Sequence, residues 1–153
     1  PGDMDFPGIC PFHGDCLEGM ACGPAMAARY GQAAESLPPD HDGWRIAAHY
    51  IAGLCATLTY VVRPDRIILG GGVMQFPGMH DRVRTALADQ LAGYDTSIRQ
   101  IDMAEYVAPP SAGPSAGLTG ALAIAYRQLT RRWPAHWHVS PSAANVQEKQ
   151  VDA

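Results

Sequence analysis

Three candidate metal ligands stand close together near the start of the chain. Cys10, His13 and Cys16 follow a Cys-x2-His-x2-Cys spacing, and Gly14 relieves backbone crowding in the short loop that carries them. Thiolate and imidazole are ligands that Zn²⁺ prefers, and a structural zinc site holds four ligands in a tetrahedron. The alternative is two buried thiols and a surface histidine, but the turn-rich surroundings favour a metal. The spacing therefore predicts a metal loop that is one ligand short.

The size and charge of the chain limit its class. Its 153 residues are enough for one domain with a sizeable core. A net charge of −4 does not indicate binding to nucleic acid or to an anionic membrane. No apolar run is long enough to span a bilayer. Outside the metal loop, Cys22 lies in a small-residue turn and Cys55 in an apolar helical stretch. This placement of the four cysteines fits a reducing cytoplasm, so we expect a cytoplasmic protein. From the charge and the apolar runs we expect no nucleic-acid or membrane partner.

The hydrophobic pattern predicts an α/β fold. Over residues 44–62 apolar side chains recur at steps of three and four, as they do on the buried face of a helix. Residues 66–69 are a short β-branched run typical of a buried strand, whereas residues 1–19 have the composition of a loop. Such alternation of helices and strands is typical of α/β proteins. The predicted elements are helices over residues 23–31, 44–62, 79–92 and 116–131, and strands over residues 66–69, 98–103 and 105–107.

A run of three glycines, Gly70, Gly71 and Gly72, follows the first predicted strand. Without a Cβ, such a loop lets the backbone approach a ligand closely. In open α/β sheets a loop of this kind lies at the carboxyl end of a strand, where nucleotides commonly bind. It is neither a P-loop nor the Rossmann fingerprint, because the residues that define those motifs are missing. A merely tight turn is the alternative.

A second small-residue loop opens the last predicted helix. The free N–H groups and the positive dipole end of a helix start favour an anion, and small side chains leave room for a flat base. Close packing of this helix against the sheet would explain the same composition. Two such loops in one short chain favour a nucleotide. The residues of the second loop are Gly113, Pro114, Ser115, Ala116 and Gly117.

Four segments, taken in order, resemble the ROK family of sugar kinases and its zinc-containing bacterial fructokinases in particular. They are Cys-Pro-Phe-His-Gly-Asp-Cys-Leu-Glu-Gly, Gly-Pro-Ala, Ile-Ile-Leu-Gly-Gly-Gly-Val-Met and Gly-Pro-Ser-Ala-Gly-Leu-Thr-Gly-Ala. The resemblance implies an actin-like, ribonuclease-H-like ATPase domain in a two-domain α/β sugar kinase. It also implies transfer of the ATP γ-phosphate to a hexose hydroxyl, with fructose as the expected hexose, and a homodimer.

The resemblance assigns roles to individual residues. Cys10, His13 and Cys16 match three ligands of a structural zinc, and Glu18 matches a glutamate that reaches the bound sugar. The loop from Gly70 to Gly72 matches the phosphate side of the nucleotide site, and that from Gly113 to Gly117 matches the adenosine side. ATP or ADP, with Mg²⁺ accompanying ATP, is therefore an expected ligand.

Several parts of the family pattern are missing from the sequence. They are the Glu-x-Gly-His motif with the fourth zinc ligand, the Asp-x-Gly-x-Thr phosphate loop and the aspartate that acts as general base. We therefore expect the carboxyl-terminal half of a fructokinase, with no catalytic residue in this fragment and no activity without the amino-terminal half. Cys22 stands where the family usually has serine.

The predicted organisation is a zinc-binding loop at residues 1–22, an α/β nucleotide-side kinase domain at residues 23–133 and a mobile tail at residues 134–153. Two other functions remain open at this point. ROK proteins also include transcriptional regulators that bind sugars, and a zinc-stabilised α/β domain without a catalytic role would share the same loop.

Overall fold

The computed structural model describes residues 5–94 and 102–135 of the chain. It divides into two compact units, residues 1–114 and residues 115–153. The boundaries after residues 22 and 133 remain predictions, and nearly all of the expected mobile tail lies outside the described residues.

Helices dominate the described part of the chain, and two short strands accompany them. The helices are α1 (Leu17–Ala21), α2 (Gly23–Tyr30), α3 (Asp42–Val61), α4 (Met79–Leu91), α5 (Met103–Tyr106) and α6 (Ala116–Thr130), and the strands are β1 (Ile67–Ile68) and β2 (Val107–Ala108). Single 3-10 turns lie at Ala34–Ser36, Val73–Gln75 and Gly113–Ser115. The result is a mixed helix and sheet structure, as the sequence pattern predicts.

The core of the first unit forms where α3 packs against α4. Helix α4 buries Met79, Val83, Leu87 and Leu91, which follow one another at four-residue steps and therefore lie on one face. The facing side of α3 is rich in alanine, whose small side chain allows two helices to approach closely. The helix predicted over residues 79–92 is confirmed with its apolar side buried.

In the helix predicted over residues 44–62, Ile46 and Ala47 are buried as expected. Leu54, Val61 and Val62 are exposed, so the expected buried face is wrong at these three positions.

The strands β1 and β2 pair in parallel, with Ile67 opposite Val107 and Ile68 opposite Ala108. Ile67 is buried but Ile68 is 53% exposed, so the prediction of a fully buried strand is wrong for half of β1. Successive side chains of a strand point to opposite faces. Within the described residues the sheet has only these two strands.

Three helix starts differ from the sequence prediction. Helix α1 lies in a segment predicted to be loop, because five residues are too few to show a helical period. Helix α3 begins two residues early, since the His41 ring accepts a hydrogen bond from Gly43 N at 3.0 Å.

Helix α5 takes part of a predicted strand, because the Asp102 carboxylate caps it by accepting from Ala104 N at 2.8 Å. Only Val107 of the predicted strand over residues 105–107 belongs to β2. Of the other predicted strand, residues 98–101 lie outside the described residues.

A buried polar pair ties the end of α5 to α3. The Thr59 hydroxyl donates to the Cys55 carbonyl oxygen at 2.7 Å, so it accepts from the Tyr106 hydroxyl at 2.8 Å. Both side chains are satisfied although both residues are buried. The contact joins the last residue of α5, directly before β2, to α3.

The second unit is described through α6, which ends one residue earlier than predicted, before Arg131 at a φ of 60°. Among the described helices, none is both long and apolar enough to cross a membrane.

Candidate functional site

The metal loop is a tight hairpin. Cys10 N donates to Gly14 O at 3.1 Å, and Gly14 N donates back to Cys10 O at 2.9 Å. This reciprocal pair forms an isolated antiparallel bridge and turns the chain so that His13 lies beside Cys10. Cys16 follows as the residue that precedes α1.

The hairpin brings the three predicted ligands together. One ligand atom from each of Cys10, His13 and Cys16 lies within 4.8 Å of the other two, and Cys10 Sγ is 3.8 Å from His13 Nδ1. Zinc bonds of about 2.0–2.3 Å in a tetrahedron place neighbouring ligand atoms roughly 3.3–3.8 Å apart. Two thiols and an imidazole therefore fit a zinc ion after a small contraction. No fourth His, Cys, Asp or Glu joins this cluster within the described residues.

The environment of Cys10 favours its thiolate. The backbone N–H groups of Phe12 and His13 lower the pKa of the thiol from 9.0 to about 7, with smaller contributions from the Cys16 and His13 side chains. In contrast, burial in α3 raises the pKa of Cys55 to about 11. Since the thiolate is the form that binds metal and attacks electrophiles, Cys10 is prepared for both roles.

We expect iodoacetamide to modify Cys10 of the metal-free chain at least about 100-fold faster than Cys55 at pH 7, because about half of Cys10 is ionised there and Cys55 is protonated. The rate at Cys10 should fall as pH drops below about 7, since the thiolate is then lost. Peptide mass spectrometry after timed labelling measures both rates, and Cys10→Ser verifies the assignment. A half-maximal rate near pH 9 at Cys10 would contradict the expected environment.

Gly19 of α1 supports the metal loop directly. Its carbonyl accepts from Ile9 N at 3.1 Å, and a Cβ at this position would overlap with Gly14 O and stand 2.9 Å from Cys10 N. The hairpin therefore packs directly against the backbone of α1 at Gly19, where there is no side chain. Sequence reasoning noted this glycine only as part of the motif and gave it no role.

A cleft of about 1090 Å³ opens in the first unit beside α1. Glu18, on the exposed side of α1, lines it, and so does the whole loop from Gly70 to Gly72. The two predicted binding elements are 52 positions apart in sequence and share this cleft. Its volume slightly exceeds the usual range of small-molecule sites, about 300–1,000 Å³. Cys22 also lines it.

The three glycines of the first loop differ in what the protein itself requires. A Cβ at Gly70 would lie 3.3 Å from Pro110 Cγ, so this position needs a small residue for packing. Gly71 has a φ of 102°, which favours glycine. Gly72 has a helical φ of −58°, and a Cβ there would meet no atom within 4 Å. A tight turn thus explains Gly71 but not Gly72, whose missing side chain leaves open space.

The second predicted loop falls on the boundary between the two units. Gly113, with a φ of 58°, and Pro114 belong to the first unit, where Gly113 N donates to Pro110 O at 2.9 Å. Through Pro110, the Gly113 end of this loop lies next to Gly70. Ser115, Ala116 and Gly117 belong to the second unit.

Gly117 lies in the first turn of α6. Within the second unit, a Cβ at Gly117 would meet no atom within 4 Å.

An aromatic stack that the sequence did not predict borders the cleft. Trp44 and Phe76 lie face to face with ring centroids 3.7 Å apart and planes 11° from parallel. The Trp44 indole N–H donates to Pro38 O at 3.1 Å, which fixes its ring at the start of α3. The stack holds the segment that follows Gly72 against α3.

The first unit thus holds a Cys-His-Cys cluster and, next to α1, a cleft lined by Glu18 and the Gly70–Gly72 turn. The sequence model of the ROK family matches residues 2–128, and the chain belongs to this family. Membership implies the actin-like ATPase fold.

Several curated proteins are similar to the chain. It is 40% identical to the fructokinase of Pediococcus pentosaceus over 129 residues, 84% of this chain and 43% of that protein. It is 38% identical to the putative fructokinase of Bacillus subtilis over 130 residues, with the same two shares. The fructokinase of Zymomonas mobilis is 38% identical over 127 residues, which are 82% of this chain and 41% of that protein. The chain thus spans less than half the length of these relatives.

Proposed function

We propose that residues 1–153 are the carboxyl-terminal half of an ATP-dependent fructokinase, which transfers the γ-phosphate of ATP to a fructose hydroxyl. The observation that carries this proposal is the cleft shared by Glu18 and the Gly70–Gly72 loop. A carboxylate accepts hydrogen bonds from sugar hydroxyls, and a loop without side chains lets backbone N–H groups approach phosphate oxygens. The fructokinase relatives supply the choice of sugar.

Within this proposal the chain binds and positions substrates. Glu18 orients the sugar, Gly70–Gly72 hold the phosphates, and Gly113–Gly117 face the adenosine. Phosphoryl transfer depends chiefly on positioning and on neutralising charge, and Mg²⁺ bound with ATP supplies part of that neutralisation. No described residue is assigned as general base, which we place in the amino-terminal half together with the first phosphate loop. A homodimer in the cytoplasm is part of the same proposal.

The metal site of the proposal is a structural zinc. Cys10, His13 and Cys16 would hold the ion, and a residue outside residues 1–153 would supply the fourth ligand. Zinc bound by four protein ligands has no open position for substrate and stabilises local structure instead. Because Cys16 directly precedes α1, a zinc-fixed loop would also fix the helix that carries Glu18.

The other two functions have weaker support. A sugar-binding regulator of the ROK type and a non-catalytic zinc-stabilised domain would both retain the metal loop. A sugar-binding regulator accounts for the carboxylate in the cleft but not for a phosphate-binding loop beside it, and a non-catalytic domain accounts for neither. The similar proteins are named as fructokinases.

The test is ATP-dependent phosphorylation of fructose by the full-length protein, with residues 1–153 alone expected to be inactive. Gly72→Val adds a side chain where the protein leaves open space, so it should weaken ATP binding at least about tenfold without lowering the unfolding temperature. Turnover by residues 1–153 alone, or an unchanged ATP affinity in a folded Gly72→Val variant, would overturn the proposed assignment of the two halves or of the nucleotide loop.

A further inference from the structure

The glycine loop that lines the cleft is held at its base by a side chain of α4. His80, the second residue of that helix, lies with Nε2 3.1 Å from the Leu69 carbonyl oxygen. A carbonyl only accepts, so Nε2 carries the proton and donates. Leu69 N donates to Ala108 O at 3.0 Å. The residue directly before Gly70 is therefore fixed on both sides, by the neighbouring strand and by the histidine.

One turn further along α4, Arg84 donates hydrogen bonds to a backbone carbonyl of β2. Its Nε and Nη2 donate to Val107 O at 2.9 Å and 2.7 Å, and Nη2 also reaches Ala104 O at 3.2 Å. Asp81 holds the other end of the guanidinium through Nη1 at 2.6 Å. Residues four apart lie on the same side of a helix, so His80 and Arg84 together tie α4 to the two paired strands.

The core fixes α4, so the helix can serve as a reference for the loop. Met79 and Val83, the neighbours of His80 and Arg84 along the chain, are fully buried. At the other end of the loop segment, Phe76 is stacked on Trp44. Between these two attachments, a Cβ at Gly71 or Gly72 would meet no atom within 4 Å, and the Gly72 carbonyl accepts from Gln75 N at 3.0 Å.

We propose that His80 is a positioning residue that sets the Gly70–Gly72 loop for the phosphates of ATP. It acts through the Leu69 carbonyl and touches no substrate itself. The inference rests on the proposed kinase function, because it takes the loop to be the phosphate site. The hydrogen bond at the base of the loop fixes the direction in which the backbone leaves β1, and therefore where the glycine N–H groups point.

The test compares a donor with an acceptor of the same size at this position. His80→Gln keeps an N–H donor for the Leu69 carbonyl, whereas the ionised carboxylate of His80→Glu only accepts and repels it. A glutamate in the first turn of a helix is favourable, so His80→Glu should not destabilise α4 itself. Thr85→Ala, at an exposed position of the same helix, is the matched control.

In the full-length protein we expect His80→Glu to raise KM for ATP by about fivefold to tenfold, in line with the loss of one hydrogen bond, and to leave KM for fructose unchanged. His80→Gln should recover most of the loss, and Thr85→Ala should match the wild type. Hydrogen exchange in residues 1–153 gives a readout that needs no activity, since the Leu69 amide should exchange several-fold faster in His80→Glu than in His80→Gln.

The outcomes separate the two proposals. If Leu69 exchanges faster in His80→Glu but the protein has no kinase activity, the anchoring role of His80 is supported and the proposed kinase function is refuted. An active kinase in which the Glu and Gln variants have the same KM for ATP and the same exchange rate would refute the role of His80. Equal increases in KM for ATP and fructose would indicate a general loss of structure and would also refute it.

Discussion

Cys16→Ser is expected to lower the zinc affinity of residues 1–153 by about 100-fold. Structural zinc sites with four ligands bind with about 10–16 kcal/mol, so one thiolate is worth on the order of 3 kcal/mol. Cys16 is one of only three ligand groups that the described residues bring together, and a serine hydroxyl remains protonated and is a poor zinc ligand. Competition against a zinc-binding dye, with metal content checked by elemental analysis, measures the change.

The matched control is Cys22→Ser, which makes the same chemical change at a half-buried cysteine outside the cluster. Its zinc affinity should equal that of the unaltered chain. A protein that takes up no stoichiometric zinc in its full-length form, or an equal loss of affinity in the two serine variants, would contradict the assignment of the ligands.

The metal loop could be predicted from the sequence because everything that forms it is local. Cys10, His13 and Cys16 lie within one turn-rich segment, and the ligand chemistry depends on residue type and spacing alone. Helix α4 was predictable for a similar reason, since four apolar residues at four-residue steps specify one face. Predictions from patterns of this kind do not depend on contacts with distant parts of the chain.

The groups that place the glycine loop were not predictable in this way. Phe76 meets Trp44 across 32 positions, and the ring of His80 reaches a carbonyl 11 positions earlier. A backbone carbonyl carries no sequence signal, and a stacked ring looks like any other apolar residue. Only the packing of α4 and the strands reveals that these side chains hold the loop.

The strand predicted over residues 105–107 shows that a local pattern can also give a wrong prediction. Tyr106 and Val107 are residue types common in strands, but the cap from Asp102 starts a helix first and only Val107 joins β2. Tyr106 is buried through its contact with Thr59 and not through strand pairing. A two-residue strand is too short for its period to outweigh a good helix cap.

Gly19→Ala is expected to disrupt the metal loop, although alanine is the better helix former. Alanine in a helix is ordinarily favoured over glycine by about 1 kcal/mol. Here its Cβ would overlap with Gly14 O and lie 3.0 Å from Cys10 Cβ, and both neighbours belong to the hairpin that carries the ligands. The hairpin would have to move away from α1, because a backbone carbonyl cannot rotate aside as a flexible side chain can.

We expect this variant to lose at least about 2 kcal/mol of unfolding free energy in the zinc-bound form, in the range of overpacked sites, and at least about tenfold in zinc affinity. Gly23→Ala is the matched control, because Gly23 is also helical and a Cβ there meets no atom within 4 Å. It should gain about 0.5–1 kcal/mol and keep its zinc. Urea unfolding with and without zinc measures the unfolding free energy and the effect of zinc for both variants. If Gly19→Ala and Gly23→Ala were equally stable and bound zinc equally well, α1 would not be the support on which the metal loop rests.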